Sequence, residues 1–394
     1  MRLKILSKSQ DEHIFLVFQL CVSALIILFS IIDAPVLASR MYSLSFINLI
    51  ILYLVSYKRG NVTTTGWLLI VWSLLSISFS VLVSNRSFTL QDYVSFATFA
   101  AAILYFQVSI NVNVTKKIAH SVLIMGFIIS AIYPIGYYFL GGNYSRNMGS
   151  ELLTMHFSSP NLTGMHLTLG CFSSVLFLLL SRGWYKRMLC LIVFFVDLHL
   201  LFLTGSRNSI LSVVLFLIGI VVVTIRRAKS LNRHLSVFII VSPLVFALMY
   251  LAFIGVIGNR GTLDFLVEEG KPITSRVTIW NHVFETLKGV HWLIGDYSKL
   301  RGNLHNTHMT VLGSYGIVGL IIFVGYLISL VSRVNREIHS TSQVICLICF
   351  LGVILIGNGE AGLIYGGMGM YVIAGSYLLL ARYDWEKELS ERVS

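Results

Sequence analysis

The chain reads as an all-α, polytopic membrane protein, a single transmembrane domain over residues 1–394. Three observations predict this. Hydrophobic residues make up 56% and charged residues 12%, with mean hydropathy +0.82, about half the charge fraction of a soluble domain. Apolar runs of about 17–25 residues, the length that crosses a bilayer, recur along the whole sequence. The runs are continuous rather than alternating, which argues against membrane strands.

About twelve spans are expected, at 14–32, 41–57, 64–84, 92–110, 121–140, 162–181, 188–204, 209–225, 235–257, 310–331, 343–356 and 361–381. The net charge of +12 invites a nucleic-acid reading. Its distribution argues otherwise. With the N-terminus inside, about nineteen of the 29 basic residues fall on inner segments, in clusters such as Lys58–Arg59, Lys116–Lys117, Arg182–Lys186–Arg187 and Arg226–Arg227–Lys229–Arg233. This positive-inside bias places both termini in the cytoplasm. All five cysteines (Cys21, Cys171, Cys190, Cys346, Cys349) lie within predicted spans, so they read as core rather than disulfides or thiolate ligands. No cleavable leader, internal repeat, low-complexity segment or additional soluble domain is expected.

Two outer connections are long. Residues 141–161 form a polar loop between spans five and six, and 258–308 a larger one between spans nine and ten. Within the latter, Ser275–Lys288 spaces Val277, Trp280, Val283, Phe284 and Leu287 as an amphipathic helix. It is expected on the membrane surface, with Trp280 at the interface and Arg276 starting the helix toward the outer mouth.

The residues able to carry chemistry gather at that outer side. His305 precedes span ten, where an imidazole can take a proton near neutral pH. Asn306 can orient a ligand or hold the ring. His308, one turn on, is a supporting residue or plain polar lining. Arg207, in the hairpin TGSRNSIL, is hemmed by apolar sequence, and a guanidinium there is costly without an anionic partner. It matches phosphate oxygens, or else snorkels to headgroups. Arg276 is a second cation. Glu360, in GNGEAG, either pairs with an arginine, positions His305, caps the last span, or is itself the base. Asp197 and His199 fall mid-span seven, where Asp197 is expected to pair with a neighbouring span. Gly313, Gly316 and Gly319 make a small-residue face that holds His305 against a neighbour, and Tyr365, Gly366, Gly367 and Gly369 suggest similar packing in span twelve.

These motifs resemble the O-antigen ligase and O-antigen (Wzy-type) polymerase superfamily. LTGSRNSIL resembles its arginine hairpin and SRVTIW its arginine-containing loop helix. HNTHMTVLGSYGIVG fits its pattern of His305, Asn306, nine residues, then Gly316-x-x-Gly319. The clear resemblance covers roughly 190–330. It implies a GT-C-like, metal-independent glycosyltransferase without cofactor, in the bacterial inner membrane. Donor and acceptor would be undecaprenyl-diphosphate-linked glycans, with a chain-length regulator as candidate partner. His305 would be the general base, Glu360 a further catalytic candidate, Arg207 and Arg276 the diphosphate ligands, and Asn306, His308, Gly316 and Gly319 supports. The compact outer loop and the SSPNLTG opening of span six favour a polymerase. The histidine pattern also fits a ligase acting on lipid A–core. A lipid-linked oligosaccharide flippase is the alternative from another class. It would carry its cations in a central cavity between related halves.

Overall fold

The computed structural model describes residues 8–84, 87–147, 150–157, 159–258, 274–300, 304–361 and 367–387. It is a polytopic helical bundle. The long helices are α1 (Lys8–Ile31), α2 (Pro35–Ser56), α3 (Asn61–Val83), α4 (Leu90–Asn111) and α5 (Lys116–Leu140). A hairpin, β1 (Tyr144–Asn147) and β2 (Ser150–Leu153), follows. Then come α6 (Pro160–Leu180), α7 (Trp184–Leu203), α8 (Arg207–Arg226) and α9 (Arg233–Gly258). Short helices α10 (Thr274–Thr286), α11 (His291–Ile294) and α12 (Tyr297–Leu300) lead into α13 (Thr307–Arg336), α14 (Thr341–Ile356) and α15 (Gly367–Leu380).

Each predicted span overlaps a helix among the described residues. Among the described residues, nine helices are long and apolar enough to cross a membrane. Of the others, α7 has 20 residues but carries Lys186, Arg187 and Asp197, while α14 and α15 have 16 and 14. The hairpin was not legible: its register pairs Tyr144 with Leu153 and Asn147 with Ser150. Its residues do not alternate cleanly, so their pattern predicts no strand.

Local chemistry sets the helix ends. Thr89 and Asp92 form a capping box on α4, and Ser340 with Gln343 another on α14. Ser159 caps α6, with Pro160 in the first turn where its missing N–H costs nothing. Leu54, Leu82 and Ile225 are exposed, as a lipid-facing surface requires, while α15 is buried throughout. At the end bearing the basic clusters, Arg382 ties three helices together. It donates to Glu337 (2.7 Å) and to the carbonyls of Ser109 (2.9 Å) and Val112 (3.0 Å).

Three expectations are corrected. Trp280 does not lie on a surface: it is fully buried, its indole donating to the Leu304 carbonyl (2.8 Å) beside Tyr250 and Phe246 of α9. The loop helix is therefore clamped to the bundle. Asp197 has no hydrogen-bond partner among the described residues; both its oxygens are buried against Gly170 of α6. The glycine face of α13 receives mainly the returning loop rather than a span. Gly313 faces Leu300 and Leu304, and Gly316 faces the backbone of Leu293 and Ile294. Tyr365 and Gly366 lie outside the described residues, as do Arg260, Lys271 and Arg301 of the large loop.

Gly316 breaks α13. Its φ of 70° and ψ of −176° are non-helical, a region essentially reserved for glycine. The break frees the Tyr315 carbonyl, which accepts from the Trp72 indole of α3 (2.9 Å). A proline does similar work in α9. Pro243 cannot donate to the Ile239 carbonyl, and the Ser242 hydroxyl does so instead (2.8 Å).

Candidate active site

The site is built on the turn after α14, residues Gly357–Ala361. Five segments converge on it. Asn208, in the first turn of α8, donates to the Ile356 carbonyl (2.6 Å) and packs on Gly359. Arg276 of α10 donates to the Gly359 carbonyl (3.3 Å). Asn161 of α6 donates to Glu360 Oε1 (2.6 Å). Ser242 of α9 donates to the Asn358 side chain (3.4 Å). The start of α13 contributes the backbone bond from Thr307 N–H to Gly357 O (3.0 Å) and the Thr307 hydroxyl to Glu360 O (3.1 Å).

His305 sits above this turn. Its Nδ1 is 3.1 Å from Glu360 Oε1, the side chains being 36% and 3% exposed. A carboxylate only accepts, so in this contact Nδ1 is the donor. The half-exposed ring is thus held by a buried acid. His305 has a φ of 53°, a left-handed conformation uncommon for a residue with a side chain. The carboxyl is fixed in turn by Asn161. Glu360 is thus placed to hold the histidine, and the described part of α15 starts at Gly367.

Asn306 is not a ligand contact. It is fully buried, caps α13 by accepting from Met309 N–H (3.0 Å), and donates to the carbonyls of Pro243 (2.7 Å) and Asn358 (3.2 Å). Its role is to seat α13 against α9 and the turn. His308 is also fully buried, edge-on to Phe323 at 5.7 Å.

Arg207 is the first residue of α8 and is exposed. Among the described residues its guanidinium has no hydrogen-bond or ion-pair partner. The helix N-terminus beneath it adds positive potential. The hairpin packs tightly: a side chain at Gly164 would strike Ser206, and Gly205 (φ 63°) lies on Leu152 of β2. Arg276 is half-buried. The Arg276 guanidinium and the His305 imidazole are thus held on one turn, while Arg207 is placed near it only through its neighbour Asn208.

Asp296 secures the loop that passes beside this region. It accepts from Ser298 (2.7 Å), Ser80 (3.3 Å) and Lys299 N–H (3.2 Å), with the Lys299 ammonium 3.3 Å away. Burial alone would raise its pKa. The Ser298 and Lys299 hydrogen bonds and the Lys299 and His291 charges outweigh burial and hold it below the usual carboxylate range.

Sequence reasoning placed His305, Glu360, Arg276 and Arg207 together and missed Asn161, Asn208 and Thr307. The first two directly follow features already singled out, Pro160 and Arg207, but an asparagine in isolation signals nothing. Among the described residues no three His, Cys, Asp or Glu side chains converge as a metal site. No protein-family model, characterised protein or solved structure matches the chain.

Proposed function

We propose that the chain is a polysaccharide polymerase of the O-antigen or capsule type. It would transfer an undecaprenyl-diphosphate-linked glycan to a sugar hydroxyl of another lipid-linked repeat unit. One observation carries this reading: the His305–Glu360 pair and Arg276 are held on one turn, and Asn208, the residue after Arg207, is bonded to the same turn. A glycosyl transfer from a diphosphate needs a base for the incoming hydroxyl and cations for the departing oxyanion.

The acceptor hydroxyl gives its proton to His305 Nε2 as its oxygen bonds to the anomeric carbon. The bond from that carbon to the diphosphate oxygen breaks, and the electron pair leaves on the diphosphate. Arg276, half-buried, and Arg207, at the helix N-terminus, receive that charge. Glu360 stabilises the imidazolium that forms. In this reading all twelve long helices span a bacterial inner membrane in a GT-C-like arrangement. Both termini are cytoplasmic, and the site opens at the outer face, where the lipid carrier presents its sugar. The basic residues at the opposite end of the bundle support that orientation.

The His305–Asn306…Gly316-x-x-Gly319 spacing favours a ligase as the second reading. Deleting the gene and running the surface glycans on a gel separates the two. Lipid A–core bearing a single repeat unit and no ladder supports the polymerase. Polymer retained on undecaprenyl diphosphate supports the ligase. An unchanged glycan profile overturns both. Complementation by His305→Ala is expected to fail; wild-type glycan in that lane overturns the base assignment.

A further inference from the structure

A cavity of about 400 Å³ opens at the same end of the bundle, apart from the histidine and arginines. It lies between the α1–α2 turn, the segment after β2 and the first turns of α6 and α15. Asp33, Tyr42, His156, Phe157, Leu162 and His166 line it. We propose that this cavity binds a neutral sugar, a ring of the acceptor glycan next to the one whose hydroxyl reaches His305. The acceptor role rests on the transferase reading, whereas the sugar-binding chemistry does not.

The lining is complementary to hydroxyls rather than to phosphate. Among the described residues it contains no lysine or arginine and one carboxylate, Asp33, which repels anions. Asp33 and His156 approach to 3.9 Å, too far to satisfy each other by a hydrogen bond. His156 Nδ1 also lies 3.4 Å from the Asn143 side-chain amide. A hydroxyl can therefore donate to Asp33 and exchange a hydrogen bond with His156. The lining also carries an aromatic pair. Phe157 stacks on His166 at 4.4 Å and 11°, and His166 Nδ1 meets the Tyr133 hydroxyl at 3.0 Å. Such faces suit the C–H surfaces of a sugar ring. The volume lies within the range of small-molecule sites.

Two further features link the cavity to the chemistry. Asn161, which holds Glu360, directly precedes Leu162 in the cavity wall, so α6 carries the acid's partner and the pocket in one turn. Asp33 (φ 53°), Met155 (φ 46°) and His156 (φ 62°) all adopt left-handed backbone at its rim. Non-glycine residues persist there only where the surroundings hold them, which is typical of functional sites.

The test is saturation-transfer NMR on the full-length protein in lipid nanodiscs. The probes are glucose, galactose and N-acetylglucosamine, with glucuronate as the anionic control. Neutral sugars are expected to bind both the wild type and His305→Ala, whose cavity is intact. Asp33→Asn, which keeps a residue tolerant of positive φ, is expected to weaken binding about tenfold, as is His156→Gln, the loss of one charge-assisted or polar hydrogen bond. No transfer to any neutral sugar, stronger binding of glucuronate, or unchanged binding in both cavity variants would overturn the proposal. Sugar binding that survives in a protein whose deletion leaves surface glycans unchanged would overturn the acceptor role and the transferase reading together, while supporting the cavity assignment.

Discussion

Gly316→Ala and Gly325→Ala are the same change on one helix, and the structure gives them opposite signs. At Gly316 the backbone conformation costs any other residue about 1–3 kcal/mol. A Cβ there would also strike the Leu293 carbonyl and come within 2.5 Å of Ile294 N. These are backbone atoms and cannot swing aside, so the α11 segment must lift. Lifting strains the bond from Asp296 N–H to Gly313 O (2.9 Å), worth about 1 kcal/mol. The expected loss is about 2–4 kcal/mol. At Gly325 nothing lies within 4 Å of the added carbon, and alanine in an open helical position is better than glycine by about 0.5–1 kcal/mol. Denaturant unfolding of both variants in one detergent, followed by tryptophan fluorescence, measures the pair. A Gly316→Ala protein within about 0.5 kcal/mol of wild type, or two shifts of the same sign, would refute the reasoning.

Glu360→Gln keeps an acceptor for His305 and Asn161 but removes the charge, and is expected to slow glycan transfer about ten- to a hundredfold. Glu360→Ala also strands the Asn161 amide and frees the ring, and should cost about tenfold more; equal rates for Gln and wild type would sink the positioning role. Asp296 has a lowered pKa, so its stabilisation is present above the unfolded carboxylate value of about 4 and is lost as pH falls below that through its folded value. Pepsin is therefore expected to cut near Trp292 and Leu293 as the medium is acidified, with the pH step absent in Asp296→Asn. Asp197→Asn removes a buried carboxyl that has no hydrogen-bond partner among the described residues, and should leave the unfolding midpoint unchanged or higher; a marked fall would mean the carboxylate has a role in the folded bundle.

The spans were legible because each is a long apolar run, and lipid leaves the backbone no alternative to helix. The candidate site was legible where a costly residue sat at a membrane edge, as with Arg207 and His305. Three parts were hidden for definite reasons. The burial of Trp280 depends on Leu304, whose carbonyl it reaches across 24 positions. The hairpin of residues 144–153 rests on pairing, not pattern. Asn306 resembles a ligand-orienting residue in sequence, yet its amide is spent on carbonyls 63 and 52 positions away. Periodicity is local, and these bonds are not.

The turn that gathers the site lies late in the chain. A ribosome threading this protein into a bilayer releases Arg207, Arg276 and His305 well before Gly357–Ala361. Until that turn arrives, Asn161, Asn208, Asn306 and Thr307 have none of the carbonyls or carboxyls there to bind, and His305 has no acid to aim it. Biogenesis therefore carries its own safeguard. A nascent or truncated chain has the charged groups but not their arrangement, and competence comes only when the penultimate long helix is in place.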